Sequence, residues 1–213
     1  MWFPNDLRVD DKPALFHASE DSNEPTLALY FICPEQDEFH SLGGDNQNLR
    51  LSALKNLKRR LRNINIDMLI IKSKNYNQLV DNLFSLCEKF NLEKLFLNNE
   101  YAINERVRDK QVRKKLLGIT SIFHFNGDSL LPPKSILNKS GLPYKVFTPF
   151  ANAVRVIMQY TLIFCYYTPK PMLIKNNDAV RAKSDNAYET NGSQCFDYVD
   201  RDALQLENQA SGY

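Results

Sequence analysis

The run Thr26-Leu-Ala-Leu-Tyr-Phe-Ile-Cys33, set between Pro25 and Pro34, decides the fold. Its apolar residues are continuous rather than alternating, the pattern of a strand covered on both faces, as in a parallel sheet. Ile66-Asp-Met-Leu-Ile-Ile71, Leu95-Phe-Leu97 and Ile119-Thr-Ser-Ile-Phe-His124 repeat it further along the chain. Between these runs the apolar period becomes helical. Leu54, Leu57 and Leu61 recur at three- and four-residue steps, with Lys55, Lys58, Arg59, Arg60 and Arg62 on the other sides. Leu79, Leu83, Leu86, Cys87 and Phe90 form a second stripe, entered through the polar residues 73–77. A third helix is predicted over residues 104–117, closed by Gly118, a favoured residue just past a helix end. Strands and helices alternating at this spacing predict an α/β doubly wound domain with right-handed crossovers.

Outside this region the sequence changes character. Trp2-Phe3 reads as the end of a first strand, followed by a loop over residues 4–13 and a short helix near residues 14–18. So few residues fall short of the usual strand of about five or six. A frayed or weakened sheet is expected, unless the natural chain begins further upstream. Leu131-Pro132-Pro133 and Thr148-Pro149-Phe150 mark turns. Residues 150–167 read as a helix that is apolar on nearly every face and calls for burial under another layer of protein. Left exposed, it is expected to drive self-association or poor solubility. From residue 175 to residue 213 Asn, Asp, Ser, Gln and Ala dominate, so this stretch is expected to be mostly disordered. The division is a domain over 1–130, a linker and the start of an interdomain helix over 131–170, and a divergent tail over 171–213.

The chain has 213 residues, 43% hydrophobic and 24% charged, with a net charge of +2. That balance argues against a wholly disordered chain, collagen or a membrane protein, and against strong non-specific attraction to nucleic acid. The longest apolar stretch, residues 154–167, is interrupted by Arg155, Gln159 and Thr161. It falls short of the ~20 residues a membrane span needs. The opening MWFPNDLR lacks the basic-then-apolar signature of a signal peptide, so a cytoplasmic location is expected. Cys33, Cys87, Cys165 and Cys195 lie far apart without a CxxC pair. No zinc centre, dithiol redox pair or disulfide framework is predicted.

The chain contains no GxGxxG, GxxxxGK[ST] or GxSxG, and Gly43-Gly44 reads as a turn. Dinucleotide, P-loop and serine-hydrolase chemistry are therefore disfavoured, and no catalytic residue or metal ligand is assigned. The basic run over residues 55–62 has no interleaved aromatics and reads as a solvated helix face. The aromatics of 160–167 read as core or interface. His17 reads as a surface residue of a short helix, and His124 as a satisfied histidine ending a strand. His40 differs, because it lies in the loop over residues 34–46, after a strand's carboxyl end, where ligands of open α/β sheets bind.

The richest segment is Asn98-Asn-Glu-Tyr-Ala-Ile-Asn-Glu-Arg-Val-Arg-Asp109, which leads from a strand into a helix at the same edge. On composition alone it is helix-start chemistry, with Glu–Arg surface pairs worth ~0.3 to 1 kcal/mol each. Its functional reading is a carboxylate and an amide aimed at a planar heterocycle, with Glu105 accepting from ring N–H groups.

The motifs also resemble a family. Trp2-Phe3-Pro-Asn-Asp6-Leu7-Arg8-Val-Asp-Asp11-Lys-Pro-Ala14-Leu15 is similar to the opening WFRxDLRxxDNxAL of DNA photolyases and cryptochromes. Asn104-Glu-Arg-Val-Arg-Asp109 matches the family's NERxRD, and Leu131-Pro-Pro with Tyr144-Lys-Val-Phe-Thr-Pro-Phe150 resembles its LPPxxV…YKVFTPF. With the run Leu27-Ala-Leu-Tyr-Phe-Ile-Cys-Pro34, which looks like the second strand of the family's antenna domain, four motifs stand in order over about residues 2–153 and look most like the folate-type bacterial cyclobutane pyrimidine dimer photolyases. The resemblance implies a Rossmann-like antenna domain with a five-stranded parallel sheet and flanking helices. It implies methenyltetrahydrofolate as the light-collecting cofactor, which passes excitation to a reduced flavin (FAD) that splits the dimer. The folate contacts carry over to His40, Asn104 and Glu105, the first on a looser loop alignment.

Pro4 stands where the family has arginine, and Val154 where tryptophan is usual after PFxxA. Beyond about Met158 nothing resembles the helical domain that binds FAD and damaged DNA, so the flavin site has no counterpart to name. The expectation is a truncated photolyase antenna domain without repair activity of its own, touching DNA only through the missing domain. The alternative is a non-catalytic folate- or partner-binding α/β module.

Overall fold

The runs at Leu27–Ile32 and Asp67–Lys72 are strands buried on both faces, whereas the run at Ser121–Phe125 is a strand with no buried residue. The computed structural model describes residues 1–20, 24–39, 44–161 and 165–172, with the backbone of 197–198. Its elements are β1 (Trp2–Phe3), α1 (Pro13–Ser19), β2 (Leu27–Ile32), α2 (Pro34–Phe39), α3 (Gly44–Asn63) and β3 (Asp67–Lys72). They continue as α4 (Tyr76–Phe90), β4 (Lys94–Asn98), α5 (Ile103–Lys115), β5 (Ser121–Phe125), α6 (Phe147–Tyr160) and β6 (Asp197–Tyr198). Because side chains alternate across a strand, β2 turns Ala28 and Tyr30 to one face and Leu29 and Phe31 to the other. The first face packs on Leu15 of α1 and on Leu54, Leu57 and Leu61 of α3. The second packs on Leu83 and Leu86 of α4 and on Val112 of α5. Fully burying a side chain such as Leu83 contributes about 1.5–3 kcal/mol. The helices thus cover both faces, as the doubly wound reading requires.

Strand order across the sheet is β3-β2-β1-β4-β5, with β1 beside β4. The five strands do not form one ladder. β1, β2 and β3 are bonded in parallel, β4 and β5 form a separate parallel pair, and β6 adds two antiparallel residues to the outer edge of β3. The break falls at β1, whose two residues pair with Leu29 and Tyr30 and form no ladder with β4. The expected five-stranded parallel arrangement is divided into two ladders side by side, the weakened sheet that the short first strand predicts.

Two further expectations are refined. The loop over residues 34–46 holds a helix, α2, because Pro34 opens it and Glu35 and Asp37 occupy its first turn. The last helix runs over Phe147–Tyr160 rather than 150–167. Pro149 is tolerated in its first turn, while the β-branched and aromatic residues after Tyr160 and the Thr168-Pro169 step favour extended backbone. Residues 165–172 instead return to the α/β body. Asp11 N–H donates to Tyr166 O at 3.0 Å, Met172 N–H donates to Ile64 O at 3.1 Å, and Met172 is buried. The tail reading falls almost wholly outside the described residues.

Candidate functional site

The sheet's strand order reverses direction between β1 and β4, and ligands of open α/β sheets bind at the carboxyl ends beside such a switch point. A polar pocket of about 370 Å³ lies there, lined by Trp2, Tyr30, Arg50, Tyr76, Glu105 and Arg108. Each residue arrives on a different element. Trp2 comes from β1 and Tyr30 from β2, Arg50 from α3, Tyr76 from the first turn of α4, and Glu105 and Arg108 from α5. Asn75 caps α4 by accepting from Gln78 N–H at 3.1 Å, which fixes the entry of Tyr76.

Arg108 organises one wall. Its guanidinium carbon lies 4.6 Å from the Trp2 ring centroid and 5.0 Å from that of Tyr76. It donates to Glu100 Oε2 and Asp109 Oδ1, both at 2.7 Å, and all three side chains are largely buried. On the far wall Arg50 makes a two-pronged pair with Asp37, one bond at 2.6 Å. Both cations are therefore engaged by carboxylates of their own. Burial pushes the Cys33 thiol up to about 12, so it is no thiolate nucleophile. Burial also raises Tyr76, helped by its bond to Glu105 and opposed by Arg108, so its phenol stays protonated and donates.

Glu105 is the exception in this balanced set. It is 7% exposed, and Tyr76 Oη donates to its Oε1 at 2.9 Å. Its Oε2 is buried with no hydrogen-bond partner among the described residues. A buried acceptor left unmade costs about 1–3 kcal/mol, more when charged. A ligand presenting ring N–H groups removes that cost.

Asn104 precedes Glu105 in the first turn of α5 and is half-buried, outside the pocket lining. His40 lies outside the described residues. The segment 98–109 thus carries more than surface pairs, since Arg108 and Asp109 are buried. His124 is not the satisfied histidine expected. Its Nε2 accepts from Arg113 Nε at 3.1 Å, but its Nδ1 is buried without a partner among the described residues. Sequence reasoning missed Tyr76, Asp37 and Arg50. Tyr76 had a local signal, a helix start just past a strand's carboxyl end, whereas Asp37 and Arg50 meet only through tertiary packing.

Comparison with known proteins agrees with this architecture. The family model described as DNA photolyase matches residues 1–172. The chain belongs to the DNA photolyase family and corresponds to its amino-terminal domain. A deoxyribodipyrimidine photo-lyase of Buchnera aphidicola (subsp. Baizongia pistaciae) is 31% identical over 172 residues, covering 80% of this chain and 36% of the relative. The chain thus spans little more than a third of the curated relatives it matches. Among solved structures, a Synechocystis cryptochrome superposes with a TM-score of 0.64 at 21% identity, covering 81% of this chain and 36% of that one. An archaeal photolyase of Sulfolobus tokodaii, solved with two FAD molecules, gives 0.61 at 15% identity, covering 90% and 46%. Both structures share the fold. Photolyases as a family bind FAD and a folate or other antenna chromophore. Among the described residues no helix is long and apolar enough to cross a membrane.

Proposed function

We propose that this domain collects light for photolyase-type repair of cyclobutane pyrimidine dimers, holding methenyltetrahydrofolate at the carboxyl edge of its sheet. The buried, unpartnered Oε2 of Glu105 carries this reading. Glu105 would accept from the pterin ring N–H groups while Tyr76 fixes its other oxygen. Asn104 would add an amide beside it, and His40 joins them on resemblance alone. When bound, the folate supplies near-ultraviolet and blue absorption. Dimer cleavage and contact with damaged DNA belong to a flavin-bearing part, for which the described residues offer no site. A cytoplasmic setting suits the free thiols of Cys33, Cys87 and Cys165.

Titration of the full chain with methenyltetrahydrofolate, followed by its absorption band, tests the reading. Saturable binding is expected, about tenfold weaker in Glu105→Gln through the loss of a charged acceptor. No binding by the parent chain, or equal binding by Glu105→Gln, would reject it.

A second role, docking of a partner or a second copy, is favoured by α6. None of its residues is buried, and Phe147 and Tyr160 are 77% and 85% exposed. Light scattering is expected to show association that rises with concentration and falls in a Phe147→Glu, Tyr160→Glu double variant.

A further inference from the structure

Helix α5 carries two opposed stripes. Glu105, Arg108, Asp109 and Val112 are buried on the side that faces the protein. At 3.6 residues per turn, Ile103, Val107, Lys110 and Lys114 fall together on the opposite side, within roughly 60° of arc. Their steps of four, three and four residues are those of a seam along which one helix packs on another. Ile103 and Val107 are 79% and 54% exposed, and Leu117, just past the helix end, is exposed as well. Single exposed apolar residues are ordinary. Two on adjacent turns of one face form the start of a contact surface.

Every exposed charge on α5 is positive. Arg106, Lys110 and Lys114 pair with no carboxylate among the described residues. Arg113 is exposed beside them and donates through Nε to His124. The helix's own acids, Glu105 and Asp109, are buried, and Asp81 of α4 is taken by Lys115. The outer face therefore calls for carboxylates over its lysines and apolar side chains on either side of them.

That pattern selects the occupant. A second copy of the same face would set lysine against lysine, which opposes pairing. Phosphates of a nucleic acid would meet the cations and leave Ile103 and Val107 uncovered. A helix lying on an anionic bilayer keeps its cations away from its apolar face, whereas Lys110 and Lys114 interrupt the stripe itself. We propose that the outer face of α5 binds an acidic amphipathic helix of another protein, with leucine-type residues over Ile103, Val107 and Leu117 and carboxylates over Lys110 and Lys114. Apolar packing supplies affinity, and the carboxylates set register and exclude basic partners.

The probe is the dye-labelled peptide acetyl-Leu-Ala-Gln-Glu-Ala-Ala-Gln-Glu-Ala-Ala-Leu-Ala-Gln-Ala-Leu-amide. Its leucines and glutamates are spaced to meet the seam in antiparallel, and its binding to the full chain is followed by fluorescence anisotropy. Saturable binding is expected, weakening as salt rises. A Lys110→Glu, Lys114→Glu double variant is expected to bind this peptide about tenfold weaker than the parent chain does. The same variant is expected to bind a peptide with lysine in place of both glutamates about tenfold tighter than the parent does. A variant that had merely failed to fold would lose both peptides, so the exchange of preference separates the two causes. Absence of saturable binding, equal affinity of the parent for the two peptides, or no exchange of preference in the variant would overturn the proposal. So would displacement of the peptide by a mixed-sequence DNA duplex or by phosphatidylserine vesicles that themselves fail to bind the double variant.

Discussion

The carboxyl edge of the sheet is closed by charge and the amino edge by hydrocarbon. At the first, Arg108 lies between two aromatic rings and two carboxylates, and Arg50 is clasped by Asp37. At the second, leucines and phenylalanines line an open groove whose charges stay at the rim. Charge inside a protein persists only when it is paired, and the carboxyl edge obeys that rule at every group except Glu105 Oε2. The difference separates a polar pocket with one unpartnered buried acceptor from a groove lined mainly by apolar side chains.

The comparison breaks most severely at Arg108. Arg108→Ala leaves Glu100 and Asp109 buried without their cation and removes the partner of two aromatic rings. Breaking a buried pair in this way costs about 3–5 kcal/mol, to be measured by urea unfolding at neutral pH. Arg108→Lys is expected to recover part of that loss, since it keeps charge without the planar fork.

A glycine behind the same edge gives the next effect. A Cβ on Gly127 would stand 2.2 Å from Asn98 Nδ2 and 2.8 Å from its Cγ. Asn98 accepts from Ala14 N–H at 3.3 Å and reaches Asp6 at 3.4 Å, so it holds the end of β4 to the start of α1. Gly127→Ala is expected to cost about 1–3 kcal/mol through that displacement, read from the same unfolding curves. At the amino edge the comparable tie is weaker. Thr26 Oγ1 donates to Ala18 O at 2.6 Å, and Thr26→Val is expected to cost about 1 kcal/mol.

How far these edges were legible in the sequence follows from the range of the interactions that build them. The strand at Thr26–Cys33 and the stripe Leu79–Phe90 announce themselves because burial imposes a local period, and their helices and strands fall within a residue or two of expectation. The buried state of Arg108 was not legible. Its charge reads as solvent-exposed until Trp2 and Tyr76, distant in sequence, are brought to its two faces. Glu105 was legible as a candidate through its motif, but its unpartnered oxygen depends on where Tyr76 donates. The pairing of Asp37 with Arg50 and the groove of the amino edge have no local signature, since each is a relation between elements. The split of the sheet was foreshadowed by the shortness of Trp2-Phe3, because a two-residue strand has too few ladder groups to bond on both sides.

Acid and base sharpen the comparison with the smallest effects. Glu100, at the carboxyl edge, is raised above its ordinary 4.5, because burial outweighs the nearby Arg108. A raised folded value means that its contribution is full below 4.5 and is lost as pH climbs through the folded value. His124, on β5, is lowered below its ordinary 6.5, by burial first and Arg113 second. A lowered folded value means that its contribution is full above 6.5 and is lost as pH falls toward the folded value. The two slopes oppose each other, so stability measured by urea midpoints should pass through a shallow region between them. His124→Gln is expected to remove the rise in stability toward 6.5 and leave the decline above 4.5 unchanged. Glu100→Gln is expected to do the reverse, removing the decline above 4.5 while keeping the hydrogen-bonding shape beside Arg108. If both variants shift the same limb, the two groups share one titration, and the separation of the carboxyl edge from the β5 surface fails.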